Sequence, residues 1–486
     1  MSMKLQFLGA VQNVTGSRHL LQVNGSKLLV DCGLYQERHF QERNWEPFTV
    51  EPRSIDAVFL THAHLDHCGL LPKLVRDGFR GRIYCTAATA EIARIILLDS
   101  AKIQEEDAKY KAKRHKKEGR KGRFPEQPLY TVADAEACLP HFLPVKYKQR
   151  IQLDKDIEIS FHDAGHVLGS SIIRVRARDG GQKRTILFSG DIGRPDRPIV
   201  HDPELIAQAD YVMVESTYGD RVHHGPEDTG KMIAEVVNST KEAGGNIIVP
   251  SFALERAQEL LYYINELLLA DVIPRLRVFL DSPMAARITK VFQKHRELFD
   301  EEMTDYVRQN ESPFKFPGFS MVGTSDESKA LNHMKGTIMV IAGSGMCTGG
   351  RVKHHLVNNI GDPRNTIMFV GYQAMGTLGR RLLEGEKEVR ILGQKHRVKA
   401  RVARINGFSA HADRDELLNW LEGLERPPRK VFVVHGESES ALSFGDYLRQ
   451  KTGWQVAVPA YQDEICLLYT SPSPRDLSTS RMPSSA

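Results

Sequence analysis

The sequence predicts an α/β protein of two units, a set of packed sheets covered by helices with a parallel-sheet domain inserted into it. Three observations predict this. The chain has 486 residues, 41% apolar and 26% charged, which is longer than one ordinary domain and enough to bury a large core. From Lys4 to about Gly190 short apolar strands alternate with tight turns. From Tyr211 the texture changes to regular strand and helix alternation, and after residue 392 it returns to the first kind.

In order, KLQFLG, RHLLQV, KLLVD, AVFLT, RIYC, IEIS, SIIRV and TILFS read as strands, interrupted by helical stretches such as Ala87 to Gln104. YVMVES, NIIVPS, RVFLDS, TIMVIAGS and NTIMFVG then alternate with helices, which predicts a parallel sheet with helices on both faces. VKARVARI, a helix from Asp413 to about Leu424, and KVFVVHG close the chain in the first texture. The expected division is 1–210 for the first part of the outer domain, 211–392 for the insertion and 393–465 for the second part. Residues 466–486 turn abruptly Ser/Pro-rich, resemble a translated sequencing-library adapter, and are expected to be a non-native, disordered tail.

Composition narrows the class. A net charge of +5 is too mild to point to a nucleic-acid partner, so any electrostatic footprint is local. The six cysteines form no CxxC pair, which suits reduced thiols and a cytoplasmic protein better than disulfides or a thiolate metal site. Neither a leader segment at Met1 to Ala10 nor a stretch of membrane-spanning length is read.

The strongest chemical signal is Thr61-His62-Ala63-His64-Leu65-Asp66-His67, directly after the apolar run Ala57 to Leu60. On a loop leaving a strand, His62 and His64 can face one metal while Asp66 and His67 turn toward a second, and imidazole with carboxylate suits zinc. His166 in DAGHVLGS, Asp191 in LFSGDIG and His435 in VFVVHGE also follow apolar runs. Asp191 is the natural bridging carboxylate, since one carboxylate can offer an oxygen to each of two cations.

With these residues the chain resembles the metallo-β-lactamase superfamily, and specifically its β-CASP branch of nucleic-acid-processing nucleases, over nearly all of residues 3 to 465. The resemblance implies an αββα sandwich carrying an inserted β-CASP domain. It implies two Zn²⁺ per chain, one held by His62, His64 and His166, the other by Asp66, His67 and His435, with Asp191 between them. Asp31 in LLVDCG would support the metal loop, or be only a turn residue after its strand. Glu215 in VESTYGD would orient His411 in GFSAHAD, the candidate proton donor, or His411 would cap the helix that follows. His411, Glu215, Asp66 and Asp191 are thus the expected catalytic residues.

The expected reaction is hydrolysis of phosphodiester bonds in single-stranded RNA by a hydroxide bridging the zincs. The turn Ser344, Gly345 to Gly349, Gly350 lies between a strand and a helical stretch, where backbone N–H groups can cradle a phosphate, although glycines there also serve a turn alone. Arg256, Arg380 and Arg381 are expected to join it as substrate contacts. Lys109 to Arg123, with nine Lys or Arg and one acidic residue, reads as a solvated loop or a mobile basic rim beside the cleft. The rival readings are a thioester-type small-molecule hydrolase, a DNA nuclease and a non-catalytic scaffold. No membrane partner is expected, and a homodimer is left open.

Overall fold

Alternate side chains of a strand point to opposite faces, and the central strands here use both faces for burial. The computed structural model describes residues 3–119, 122–223, 229–310 and 312–468. Its first seven-stranded sheet runs, edge to edge, Glu464–Cys466, Lys4–Gly9, Arg18–Val23, Ser26–Val30, Ala57–Phe59, Arg82–Thr86 and Phe142–Val145. The second runs Val456–Ala457, Lys430–Val433, Tyr211–Val214, Gln182–Phe188, Ser171–Asp179, Ile157–Asp163 and Ile151–Asp154. Phe7, Phe59, Phe161, Phe188, Met213 and Phe432 meet in one apolar cluster between the two sheets. Their neighbours in sequence face outward: Val212, Val214, Val431 and Val433 pack with Leu417, Leu421, Phe444 and Leu448 of the helices Arg414–Glu422 and Ser438–Thr452. Val58 and Leu60 pack with Ile92, Ile96 and Leu97 of the helix Ala87–Glu118. The result is the expected sandwich, helix, sheet, sheet, helix.

The inserted domain is a six-stranded sheet in the order Phe319–Met321, Arg277–Asp281, Ile338–Ala342, Ile247–Pro250, Thr366–Phe369 and Arg401–Arg404. Every pairing in it is parallel. Ile247 and Val249 pack toward the helices Thr229–Glu242 and Arg256–Leu269, and Ile248 toward Val352–Asn359 and Leu378–Leu383.

Both expected domain boundaries move. Tyr211–Val214 pairs with Gln182–Phe188 and Lys430–Val433 in the sandwich, so residue 211 is not yet in the insertion. Arg401–Arg404 pairs with Thr366–Phe369, so the insertion extends past 392. The reason is that a short buried strand has the same apolar signature in either sheet. The tail also begins later than expected. Cys466 pairs with Lys4, and Leu467 is buried, with its N–H donating to Met3 O at 2.8 Å. Residues 469–486 of that expectation lie outside the described residues. The helix from Ala87 continues well past Gln104 to Glu118, so much of the basic run is helix and not loop. All six cysteines are free thiols. Among the described residues no helix is long and apolar enough to cross a membrane.

Candidate metal centre

The strands Ser26–Val30, Ala57–Phe59, Ile157–Asp163, Gln182–Phe188, Tyr211–Val214 and Lys430–Val433 all end on one rim of the sandwich. Asp31, the metal loop, His166, Asp191, Glu215 and His435 follow those ends in turn. Ser171 N donates to Thr61 O at 2.9 Å, joining the two sheets there. The loop leaves its strand extended at His64, then closes into the single turn Leu65–Cys68, which brings the His67 ring to 4.0 Å from that of His62, between centroids. Asp31 holds this loop in shape: one carboxylate accepts from Thr61 N at 2.8 Å and from His67 Nδ1 at 2.7 Å. Asp31 adopts a positive φ of 60°, a conformation that costs on the order of 1–3 kcal/mol and persists where the surroundings enforce it.

The ring nitrogens converge. His62 Nε2 lies 3.0 Å from His64 Nδ1, and His166 Nε2 lies 3.3 Å from the same atom. His67 Nε2 lies 3.0 Å from His435 Nε2. The far nitrogens of these rings are engaged elsewhere: His67 Nδ1 by Asp31, and His166 Nδ1 by Ala410 O at 3.3 Å. Such partners fix the proton on the outer nitrogen and turn the inner lone pair toward the cluster. Asp191 stands between the two groups, with Oδ2 3.4 Å from His62 and 3.5 Å from His166, and Oδ1 3.3 Å from His67 and 3.5 Å from His435. Its Oδ1 is buried with no hydrogen-bond partner. Burial would raise the Asp191 carboxyl, but His435, His67 and His62 outweigh it and hold the group well below the usual carboxylate range. Inward lone pairs, an ionised carboxylate and an orphaned oxygen fit a pair of cations. The ligand atoms of His62, His64, His166 and Asp191 lie within 4.8 Å of one another, and so do those of Asp66, His67 and His435.

His411 lies beside this cluster, its ring centroid 4.5 Å from that of His166. Its Nδ1 is 3.0 Å from each oxygen of Glu215, and Glu215 is fully buried and held by Ile192 N at 2.7 Å. Burial lowers the His411 pKa, but the Glu215 and Asp191 carboxylates prevail and raise it to about 9. Its side chain keeps 20% exposure, against 4% or less for His62, His67, His166 and His435. The cap of the helix after it is Asp413, whose carboxylate accepts from Asp415 and Glu416 N–H, so capping is not the role of His411.

Each of the expected substrate-contact arginines has a carboxylate partner within the chain. Arg256 is buried, pairs with Glu259 at 2.6 Å and lies 5.7 Å from the Phe408 ring. Arg380 pairs with Glu384 at 2.7 Å and Arg381 with Glu386 at 2.6 Å. Ser344 Oγ accepts from Thr348 N and Gly349 N at 3.0 and 3.2 Å, so that turn uses these donors to close on itself. Gly350, at φ 72°, has no room for a Cβ, which would lie 2.4 Å from Gly343 O, and Gly345 is covered by the Phe252 ring. Gly350 is thus required by the turn itself, and Gly345 by its contact with Phe252.

Three family descriptions match successive parts of the chain: "Metallo-beta-lactamase superfamily domain" over residues 20–189, "Beta-Casp domain" over 257–382 and "Zn-dependent metallo-hydrolase RNA specificity domain" over 395–459. Ribonuclease TTHA0252 of Thermus thermophilus is 38% identical over 463 residues, 95% of this chain and 100% of that protein. The chain belongs to the β-CASP branch of the metallo-β-lactamase superfamily. As a β-CASP protein it is a hydrolase of the metallo-β-lactamase class. Transcription termination factor FttA of Methanocaldococcus jannaschii is 32% identical, the match spanning 95% of this β-CASP chain and 71% of that longer protein. A crystal structure of a protein of unknown function from Enterococcus faecalis shares the fold, with a TM-score of 0.56 at 12% identity, over 96% of this chain and 100% of that one.

Several residues of the β-CASP site carry no role in the sequence reading. Thr61 Oγ1 links Asp31 at 3.0 Å to His62 and His67, although it sits inside the quoted motif. Thr217 Oγ1 lies 3.2 Å from His435 Nδ1. Glu255, next to Arg256, reaches across from the inserted domain and accepts from Leu168 N, two residues after His166, at 3.1 Å. No spacing rule marks such residues; only the closed fold brings them to the site.

Proposed function

We propose that this β-CASP hydrolase cleaves phosphodiester bonds of single-stranded RNA with two zinc ions, one facing His62, His64 and His166, the other Asp66, His67 and His435. The observation that carries this reading is Asp191, whose two oxygens face the two histidine groups separately. When bound, the ions supply Lewis acidity and activate water at neutral pH. The chain's own residues do the rest. Asp31 and Ala410 fix the tautomers that direct lone pairs inward. Glu215 holds His411 as imidazolium through Nδ1, which leaves the Nε2 proton for the departing sugar oxygen.

RNA is favoured over the rival substrates by the RNA specificity description over residues 395–459, which contains His411 and His435, and by the match along the full length of a named ribonuclease. The inserted domain also stands against a small-molecule substrate, since a thioester does not require a second domain over the rim. The test is turnover of equal concentrations of labelled single-stranded RNA, single-stranded DNA and a thioester. The reading predicts RNA cleavage ahead of both, and faster thioester or DNA turnover overturns it.

A further inference from the structure

The helix Ala87–Glu118 starts beside the loop that carries His166. Thr86 and Thr89 both donate to Gly169 O, at 2.7 and 2.8 Å, three residues beyond His166. Its first half is packed by Ala88, Ile92, Ala93, Ile96, Leu97 and Ala101, and is tied to the inserted domain where Asp99 meets Arg287 at 3.2 Å. Beyond Ala101 only Ala108 is buried, yet the helix persists to Gly119, whose φ of 64° closes it. Alanine and lysine favour helix, and the cations of the last turn complement its dipole. One side of this outer half is anchored, with His115 Nδ1 2.6 Å from Glu126, and Phe124 stacked on Trp45.

The other side carries a stripe at helical spacing: Tyr110, Lys113, Arg114 and Lys117, all exposed. Tyr110 is 65% exposed, and Ile103, two turns earlier, is 54% exposed. Among the described residues Lys113 and Lys117 have no acidic partner within 4.0 Å, and Arg114 has only the exposed pair with Glu118 at 2.7 Å. An exposed pair of that kind is screened by solvent and yields to a phosphate. An open aromatic ring among cations is the composition that stacks a base and holds the backbone of a single strand.

We propose that Tyr110, Lys113, Arg114 and Lys117 form an RNA-anchoring arm remote from the metal centre, an inference that rests on RNA being the substrate. At about 1.5 Å per residue, Tyr110 stands about 32 Å along the helix from Thr89. At about 3.4 Å per stacked nucleotide, that length matches about nine nucleotides, fewer for an extended strand. The arm therefore distinguishes RNA by length: a strand too short to span the gap gains nothing from it.

The test compares the parent with the variant Tyr110→Ala, Lys113→Gln, Arg114→Gln, Lys117→Gln, whose helix content is checked by circular dichroism. Binding is measured on phosphorothioate RNA of 4 and 20 nucleotides across a salt series, and cleavage on ordinary RNA of the same lengths. The proposal expects the 20-mer to lose at least about 5-fold in affinity, the size of one lost stacking contact, and its salt slope to flatten by about 2. The 4-mer keeps its affinity and its cleavage rate. Equal losses on both lengths, or no loss on either, overturns the arm. A length-dependent binding loss in a protein that cleaves neither RNA supports the arm and rejects the nuclease reading instead.

Discussion

His411 Nδ1 lies 3.0 Å from both oxygens of Glu215 and 3.9 Å from Asp191 Oδ2, at the edge of the ligand cluster. A histidine held by a buried carboxylate at one nitrogen, and partly open to solvent, is built to deliver a proton from the other. His411→Ala is therefore expected to retain its metal content while RNA turnover falls by roughly 10²-fold to 10⁴-fold. A nitrophenyl phosphodiester, whose leaving group needs little protonation, should be cleaved by the variant with a much smaller loss. Equal losses on the two substrates would assign His411 to holding the site together.

The same pair sets the pH profile. Glu215 and Asp191 outweigh burial and raise His411 to about 9, so the imidazolium persists through neutral pH and is lost as pH rises through that value. The rate is expected to fall on an alkaline limb near pH 9. In Glu215→Gln the limb should move to lower pH by roughly 1 unit or more, because one opposing charge is gone. An alkaline limb unchanged in that variant would show that another group titrates.

His435 enters the site from the strand Lys430–Val433 and lies 3.0 Å from His67 and 3.7 Å from Asp66. His435→Ala should lower zinc from two ions per chain toward one and remove most cleavage. Metal analysis of the purified variant decides this, and unchanged stoichiometry would exclude His435 as a ligand.

Glu255 links the two domains at a cost. Its Oε2 accepts from Leu168 N, but Oε1 is buried without a partner, and burial raises the carboxyl from 4.5 to about 7. The folded state thus holds a proton that the unfolded state releases. The stability this provides is full below about pH 4.5 and is lost as pH rises to about 7, by roughly 3 kcal/mol. Glu255→Gln keeps the acceptor without the acid, so its Tm should gain on the parent between pH 4.5 and 7 and hold that gain above. Parallel Tm curves for the two proteins would contradict the assignment.

How much of this was legible beforehand follows from how local each signal is. His62, His64, Asp66 and His67 announce themselves because four donor groups fall within six residues after an apolar strand. His166, Asp191 and His435 could be found because each ends a strand, and strand ends share a rim. The boundaries at 211 and 392 were not legible, since Tyr211–Val214 and Arg401–Arg404 are apolar or mixed strands whose sheet is chosen by their partners. The carboxylate partners of Arg256, Arg380 and Arg381, which are Glu259, Glu384 and Glu386, were not legible because only side-chain geometry assigns them. The helical continuation through Lys109 to Glu118 was obscured because charge density reads as loop even where alanine and lysine favour helix.

The roles proposed for the two histidine groups around Asp191 require two zinc ions for RNA cleavage. The most direct measurement is cleavage of end-labelled single-stranded RNA by chelated protein, followed while zinc is added back and bound metal is counted. Chelated protein is expected to show no cleavage, and recovery to complete at two zinc ions per chain. Cleavage that survives removal of the metal, or that is complete at one ion, would contradict that requirement.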